Sequence, residues 1–261
     1  MNVPTGSWHR DWIRRHGGAL DEDVSVWFVQ TPNVFGDLRI RGDRPMVPHA
    51  TSFADFTDEQ LAAYALQDGF AGFTTVDGDN VTWHHEIDFQ PATGGGDIGR
   101  LEPAGDGQML EYALDGSYVE SWSALEPGDR RFFAVRLARE GRVEQLLAVA
   151  GGRFVYARAR ATALPAGTSL SDAIARVHAT RAMIIAYLDC ELSYGSAPGW
   201  MIQNSTLPWQ EGKRLPFAGR IGVDSYGQPV ARAPVVGEAW SFPVNTVRPD
   251  ELRMWFSLGP T

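Results

Sequence analysis

Ionisable side chains spaced two apart on what read as β-strands are the first sign of chemistry in this chain. Tyr118, Glu120 and Trp122 stand at i, i+2 and i+4, and so do Phe35, Asp37 and Arg39. On a strand that spacing puts each trio on one face, because successive side chains alternate. In an unbroken strand His85 shares its face with Trp83, Ile87 and Phe89, while His84 shares the other with Glu86 and Asp88. Glu111 and Tyr112 add a carboxyl and a phenol on a further strand, one on each face. Charges beside large aromatics fit the inside of a barrel better than its outside. There they form either a structural network of arginines and carboxylates or the wall of a ligand site.

The chemistry open to these residue types is proton transfer. His85 or Glu120 is the candidate proton-transfer group, Arg39 the stabiliser of a developing oxyanion and Tyr118 a donor. Trp27, Phe35, Asp37, Trp83, Glu111 and Trp122 make up the candidate ligand-binding set. No metal is expected: the adjacent His84 and His85 face opposite ways, and no His-x-His or His-x3-His spacing occurs elsewhere. Register is the weak point, since a slip of one residue exchanges His85 for His84 and Glu111 for Tyr112. The catalytic reading therefore carries a positional condition. Arg39 and at least one of His85, Glu111 and Glu120 must converge in one cavity.

The elements that must position these residues are short and closely spaced. Val24–Gln30 and Val34–Arg41 read as strands, the second with clean alternation. A helix follows, with Thr57 as N-cap, Gln60 completing a capping box, Phe56 and Leu61 as a hydrophobic staple, and Gly69 at its left-handed end. Further strands are expected at 69–76, 81–90, 98–101, 108–114, 117–125, 131–139, 143–150 and 153–161, separated by Asp-Gly, Pro-Gly and Gly-Gly signals and by the turn at Gly94-Gly95-Gly96. That makes about ten antiparallel strands in a single up-and-down barrel spanning residues 1–164 with an irregular or short helical lead-in. Ser169 to Tyr194 reads as one long amphipathic helix with a stripe of Leu170, Ile174, Val177, Ile184, Leu188 and Leu192. A proline-rich wrapping segment follows, and residues 165–261 are expected to belong to the same domain as the barrel.

Composition bounds the partners. A net charge of −9 disfavours nucleic acid, which needs a basic face. The arginines at 153, 158 and 160 read as a solvated strand face. The single cysteine, Cys190, fits a reducing compartment and a buried inert thiol. With no apolar leader in residues 1–18 and no run long enough to span a bilayer, a cytoplasmic protein with no membrane partner is expected. No Gly-x-Ser-x-Gly elbow, Walker loop or dinucleotide fingerprint is present, so no cofactor is expected.

The residues from Trp27 to Pro45, Asp68-Gly-Phe-Ala-Gly, Trp83 to Pro91, Asp97-Ile-Gly and Glu111 to Trp122 come in an order that resembles a calycin-like, lipocalin-type family of fungal and bacterial proteins. Its fungal members are named as interactors of a casein kinase. The resemblance covers residues 24–125 and implies a calycin-like β-barrel; it implies no activity and no catalytic residues. Two functions follow as expectations. One is binding of a small, largely apolar or aromatic molecule in the barrel cavity, with conversion, if this is an enzyme, by a cofactor-independent lyase or isomerase reaction. The other is a protein-interaction or scaffold role with a filled, non-catalytic barrel.

Overall fold

Residues 4–91, 96–176 and 179–257 are described in a computed structural model, apart from the side chains of 175 and 176. Gly94, Gly95 and Val177 lie outside the described residues. The chain begins with β1 (Gly6–Arg15), β2 (Leu20–Asp21), β3 (Val24–Gln30) and β4 (Val34–Arg41), then the helix α1 (Asp58–Tyr64). β5 (Asp68–Asp77), β6 (Asn80–Asp88), β7 (Asp97–Gly105), β8 (Gln108–Ala113) and β9 (Tyr118–Ala124) follow as a meander. All neighbours are antiparallel, and β1 pairs with both β3 and β9, so eight strands close a barrel with β2 appended to β1. Mainly β structure around a closed antiparallel barrel is the fold that the alternation and turn spacing lead one to expect.

Details differ. The expected lead-in is the strand that closes the barrel: Trp8, Arg10 and Ile13 are buried and lie opposite Ala124, Trp122 and Glu120 of β9. The strands expected at 131–161 do not enter the barrel. β10 (Phe132–Arg139), β11 (Arg142–Ala150) and β12 (Arg153–Arg158) build a second, six-stranded sheet, joined by β13 (Glu191–Ser196), β14 (Met201–Ser205) and β17 (Glu238–Asn245). The expected long helix is α2 (Leu170–Arg176) and α3 (Arg181–Leu188), the latter capped by Thr180, and then β13. Leu192 and Tyr194 can continue a helical stripe or a strand face, and pairing with β12 decides for the strand. At α1 the capping box of Thr57 and Gln60 forms as expected, but Ala65 is the C-cap. Gly69 lies in β5 instead, where a Cβ would come within 2.8 Å of the Asp37 carbonyl.

The second sheet is apolar on both faces because it is covered on both. One face packs on the barrel wall with α1 and α3, bringing Val34, Leu38 and Ile87 against Leu146, Val155 and Leu192. The other is covered by the C-terminal segment, including the short hairpin of β15 (Ile221–Val223) and β16 (Pro229–Ala231) and the helix α4 (Pro249–Phe256). Trp200, Phe217, Trp255 and Phe256 pack there on Phe133, Phe154 and Tyr156.

Candidate functional site at the barrel mouth

The barrel strands obey period two, so their inward rows can be read from the ladder. Trp8, Phe28, Phe35, Trp83, Met109 and Trp122 occupy the interior as one buried cluster. Against it sits a belt of ionisable groups. Arg39 donates from Nε to Asp37 Oδ1 at 2.8 Å, and its Nη1 lies 3.8 Å from Asp68 Oδ2. Its guanidinium covers the Phe70 ring at 4.8 Å, and the His85 ring stacks on Phe70 at 4.0 Å. Arg10 donates to Glu120 Oε1 at 2.6 Å, with both side chains at most 3% exposed. Glu111 lies directly opposite Glu120 in the ladder and accepts from the Tyr118 hydroxyl at 2.9 Å.

Two facing carboxyls in a buried place cannot both be charged cheaply. Burial first, and then the charges of Glu120 and Asp97, push Glu111 well above the usual carboxylate range. Burial and the charge of Glu111 hold the Tyr118 phenol far above its ordinary value, so it stays a donor. Asp68 is pushed up to about 6 by burial, with Arg39 pulling the other way.

His85 owes its surroundings to a bulge. Ala71 pairs with Ile87 and Gly72 with His85, which leaves Glu86 as an extra residue on β6. One inserted residue reverses the alternation beyond it. Asp88, expected on the face of His84, therefore joins His85, and Ile87 and Phe89 turn outward to the core between the sheets. Gly72 makes the bulge feasible: a Cβ there would lie 1.9 Å from the His84 carbonyl oxygen. His85 Nδ1 is 2.8 Å from Asp88 Oδ2, and its Nε2 is 3.1 Å from Asp97 Oδ2. Burial opposes the imidazolium, but hydrogen bonds to Asp88 and then Asp97 outweigh it and raise His85 to about 9. Both ring nitrogens then donate, and the ring is a cation at neutral pH. His84 faces outward, stacked on Phe73 with Nε2 2.8 Å from Thr75 Oγ1.

The β6–β7 ladder runs only from Asn80–Arg100 to Trp83–Asp97. Beyond it His85, Asp88 and Asp97 line a cleft of about 860 Å³ between β6 and the second sheet. Ala159, Ala163, Leu164 and Pro165 provide an apolar wall, with Arg142 and Arg160 beside them. Arg160 is buried, contrary to the expected solvated face. Its guanidinium donates to the carbonyls of Tyr187, Asp88 and Phe89 and so pins the end of β6. Cys190 also lines the cleft, and burial pushes its thiol up to about 11, as expected of an inert cysteine. Among the described residues no group of three or more His, Cys, Asp or Glu is arranged to hold a metal ion.

Of the residues that the positional condition joins in one cavity, the cleft takes His85 but not Arg39, Glu111 or Glu120. Arg39, His85, Glu111, Glu120 and Tyr118 all belong to the interior belt, with Phe35, Asp37, Trp83 and Trp122. Arg39 and Glu120, however, are committed to ion pairs with Asp37 and Arg10. Of the expected catalytic and ligand residues, His85 and Trp83 line the cleft. Trp27 is on the outer face of β3, stacked on Tyr194 of the second sheet at 5.4 Å. Sequence reasoning passed over Arg10, Asp68, Asp97 and Arg160. Trp8 and Arg10 are two apart in a segment whose only strand signal is that alternation, and nothing local marks Arg160 as buried.

No family model matches the chain, and no curated protein matches it. The fold is similar to the crystal structure of an uncharacterized protein from Saccharomyces cerevisiae. The TM-score is 0.50 at 12% sequence identity, over 92% of this chain and 98% of that one. At that identity the likeness concerns the fold alone.

Proposed function

We propose that this chain binds a small molecule in the cleft at the barrel mouth, with His85 as the proton source and Asp97, which holds its Nε2 proton, as the carboxylate that meets the ligand. The observation that carries the reading is one concave site of about 860 Å³ where an imidazolium held by two carboxylates faces an apolar wall. Small-ligand sites have this size and this mixture of apolar lining with a few convergent polar groups. The barrel axis, where a ligand was expected, is occupied by aromatic side chains, so the proposal places the ligand beside it. A group raised to about 9 donates a proton at neutral pH and becomes the base once it has done so. Asp97, a quarter exposed, is the accessible carboxylate next to it. The reaction class that fits is cofactor-free isomerisation, hydration or elimination.

Kinship with the calycin-like, lipocalin-type group is part of the proposal, supported by the eight-stranded up-and-down order of the barrel. A reducing, cytoplasmic setting is likewise proposed, supported by the one buried free cysteine. No described helix is long and apolar enough to cross a membrane. The test is a fragment screen by NMR on the full chain. Fragments are expected to shift the His85 and Asp97 resonances and to bind at least about tenfold more weakly to Asp97→Asn, the loss of a charge-assisted contact. Fragments that bind only elsewhere, or none that bind, would overturn the reading.

A further inference from the structure

We infer that the ligand of this cleft is a zwitterion, with an ammonium and a carboxylate joined by a short aliphatic body. The inference rests on the cleft-binding reading above. What carries it is the presence of both signs of charge in the lining of one cleft. On the barrel side Asp88 and Asp97 share a single imidazolium, which leaves one negative charge in excess. Asp88 Oδ1 is buried and has no hydrogen-bond partner among the described residues. Glu86, the third acid of this wall, is matched separately by a two-pronged pair with Arg136, Nε to Oε2 at 2.9 Å and Nη2 to Oε1 at 2.5 Å.

The same cleft also holds positive charge. Arg160 and Arg142 both line the cleft, and among the described residues neither has a carboxylate within ion-pair distance. Arg160 is buried with Nε, Nη1 and Nη2 all given to carbonyls, so it lends the cleft positive potential and Arg142 is the arginine open to a ligand. Arg142 is exposed and spends one Nη2 donor on the Arg160 carbonyl, 2.7 Å away, so its other donors remain for an anion. Ala159, Ala163, Leu164 and Pro165 line the cleft beside these charges. An amine alone would leave the arginines without an anion, and an acid alone would leave the carboxylate excess unmatched. A molecule with both ends answers both charges, and the apolar residues take its methylenes. A cleft of about 860 Å³ has room for a body of several carbons between the two charged ends.

The experiment is calorimetry with NMR mapping on the full chain at neutral pH, using 6-aminohexanoate, hexylamine, hexanoate and hexanol. Amino acids of four to eight carbons with the amine at the far end extend the series to allow for the span between the charges. At the best length the zwitterion is expected to bind at least about tenfold more tightly than the amine or the acid of equal length. Arg142→Gln and Asp97→Asn should each remove that preference, one by sparing the amine and the other by sparing the acid. If the amine, acid or alcohol binds in the cleft as tightly as every zwitterion, the zwitterion inference falls and the cleft reading stands. If no probe of any charge perturbs the cleft residues, both fall together.

Discussion

His85 and Glu111 are two side chains whose protonated form the fold favours, a cation in one and a neutral acid in the other. The carboxylates of Asp88 and Asp97 raise His85 from its ordinary 6.5 to about 9, so folding favours the imidazolium. The stabilisation this gives is complete below about pH 6.5 and is lost as the pH climbs through 9. His85→Gln is therefore expected to lower Tm most near pH 6, with the gap to the wild type closing towards pH 9–10, and NMR should find one imidazole titrating near 9. Glu111 is raised too, but as a carboxyl it is favoured by folding in its neutral form. Its contribution is full at low pH and declines as the pH rises through the raised value. Glu111→Gln mimics the neutral acid, so it should match the wild type near pH 4, be the more stable of the two at pH 7, and flatten that decline. Glu120→Gln leaves Arg10 buried without its counter-ion and should cost about 3–5 kcal/mol in denaturant melts. Equal costs for the two glutamines would mean that Glu111 is charged.

Among the elements, β6 decides whether a site exists at all. Its bulge at Glu86 is what brings Asp88 to the side of His85, and the bulge depends on the missing side chain of Gly72. Gly72→Ala should cost about 2–3 kcal/mol or more, because the added carbon meets backbone that cannot rotate away. In the variant the His85 titration should fall back towards 6.5, since the bond to Asp88 goes with the bulge. Gly78→Ala is the control. It sits at the β5–β6 turn with φ of 61° and nothing within 4 Å, so only left-handed strain of about 1 kcal/mol applies and the titration should not move.

At the scale of the molecule, the barrel and the second sheet meet through a wall with little slack. Gly36 of β4 faces Val155 of β12, and a Cβ at Gly36 would lie 2.6 Å from Val155 Cγ1. Trp27 on Tyr194 and Arg136 on Glu86 bridge the same two layers. Gly36→Ala should destabilise by about 1–3 kcal/mol through overpacking, and Val155→Ala by a similar amount through a cavity. The double variant is expected to be at least about 1 kcal/mol more stable than the sum of the two, because the new methyl occupies the space that Val155 vacates. Strict additivity in chemical denaturation would mean that the two layers do not bear on each other at this point. The same interface sets the cleft, since the end of β6 supplies one wall and the end of β12 the other.

The sequence by itself determined the strands from β3 to β9, the capping box of α1, and which side chains share a strand face, Asp37 with Arg39 and Tyr118 with Glu120. Those are local properties, since alternation repeats every two residues and a cap spans four. It also placed strands over 131–161, but a strand does not announce which sheet it will join. Only the tertiary structure decided that these strands leave the barrel for a second sheet, and that Gly6–Arg15 closes the barrel in their place. The pairing of Arg10 with Glu120 joins residues 110 apart, a choice no window of sequence contains. The stripe from Leu170 to Leu192 became two helices and a strand because β12 offered a ladder to one end of it. The bulge that unites His85 with Asp88 is decided last of all. It breaks the period of two from which the strand was read, and its cause, Gly72, stands on the neighbouring strand.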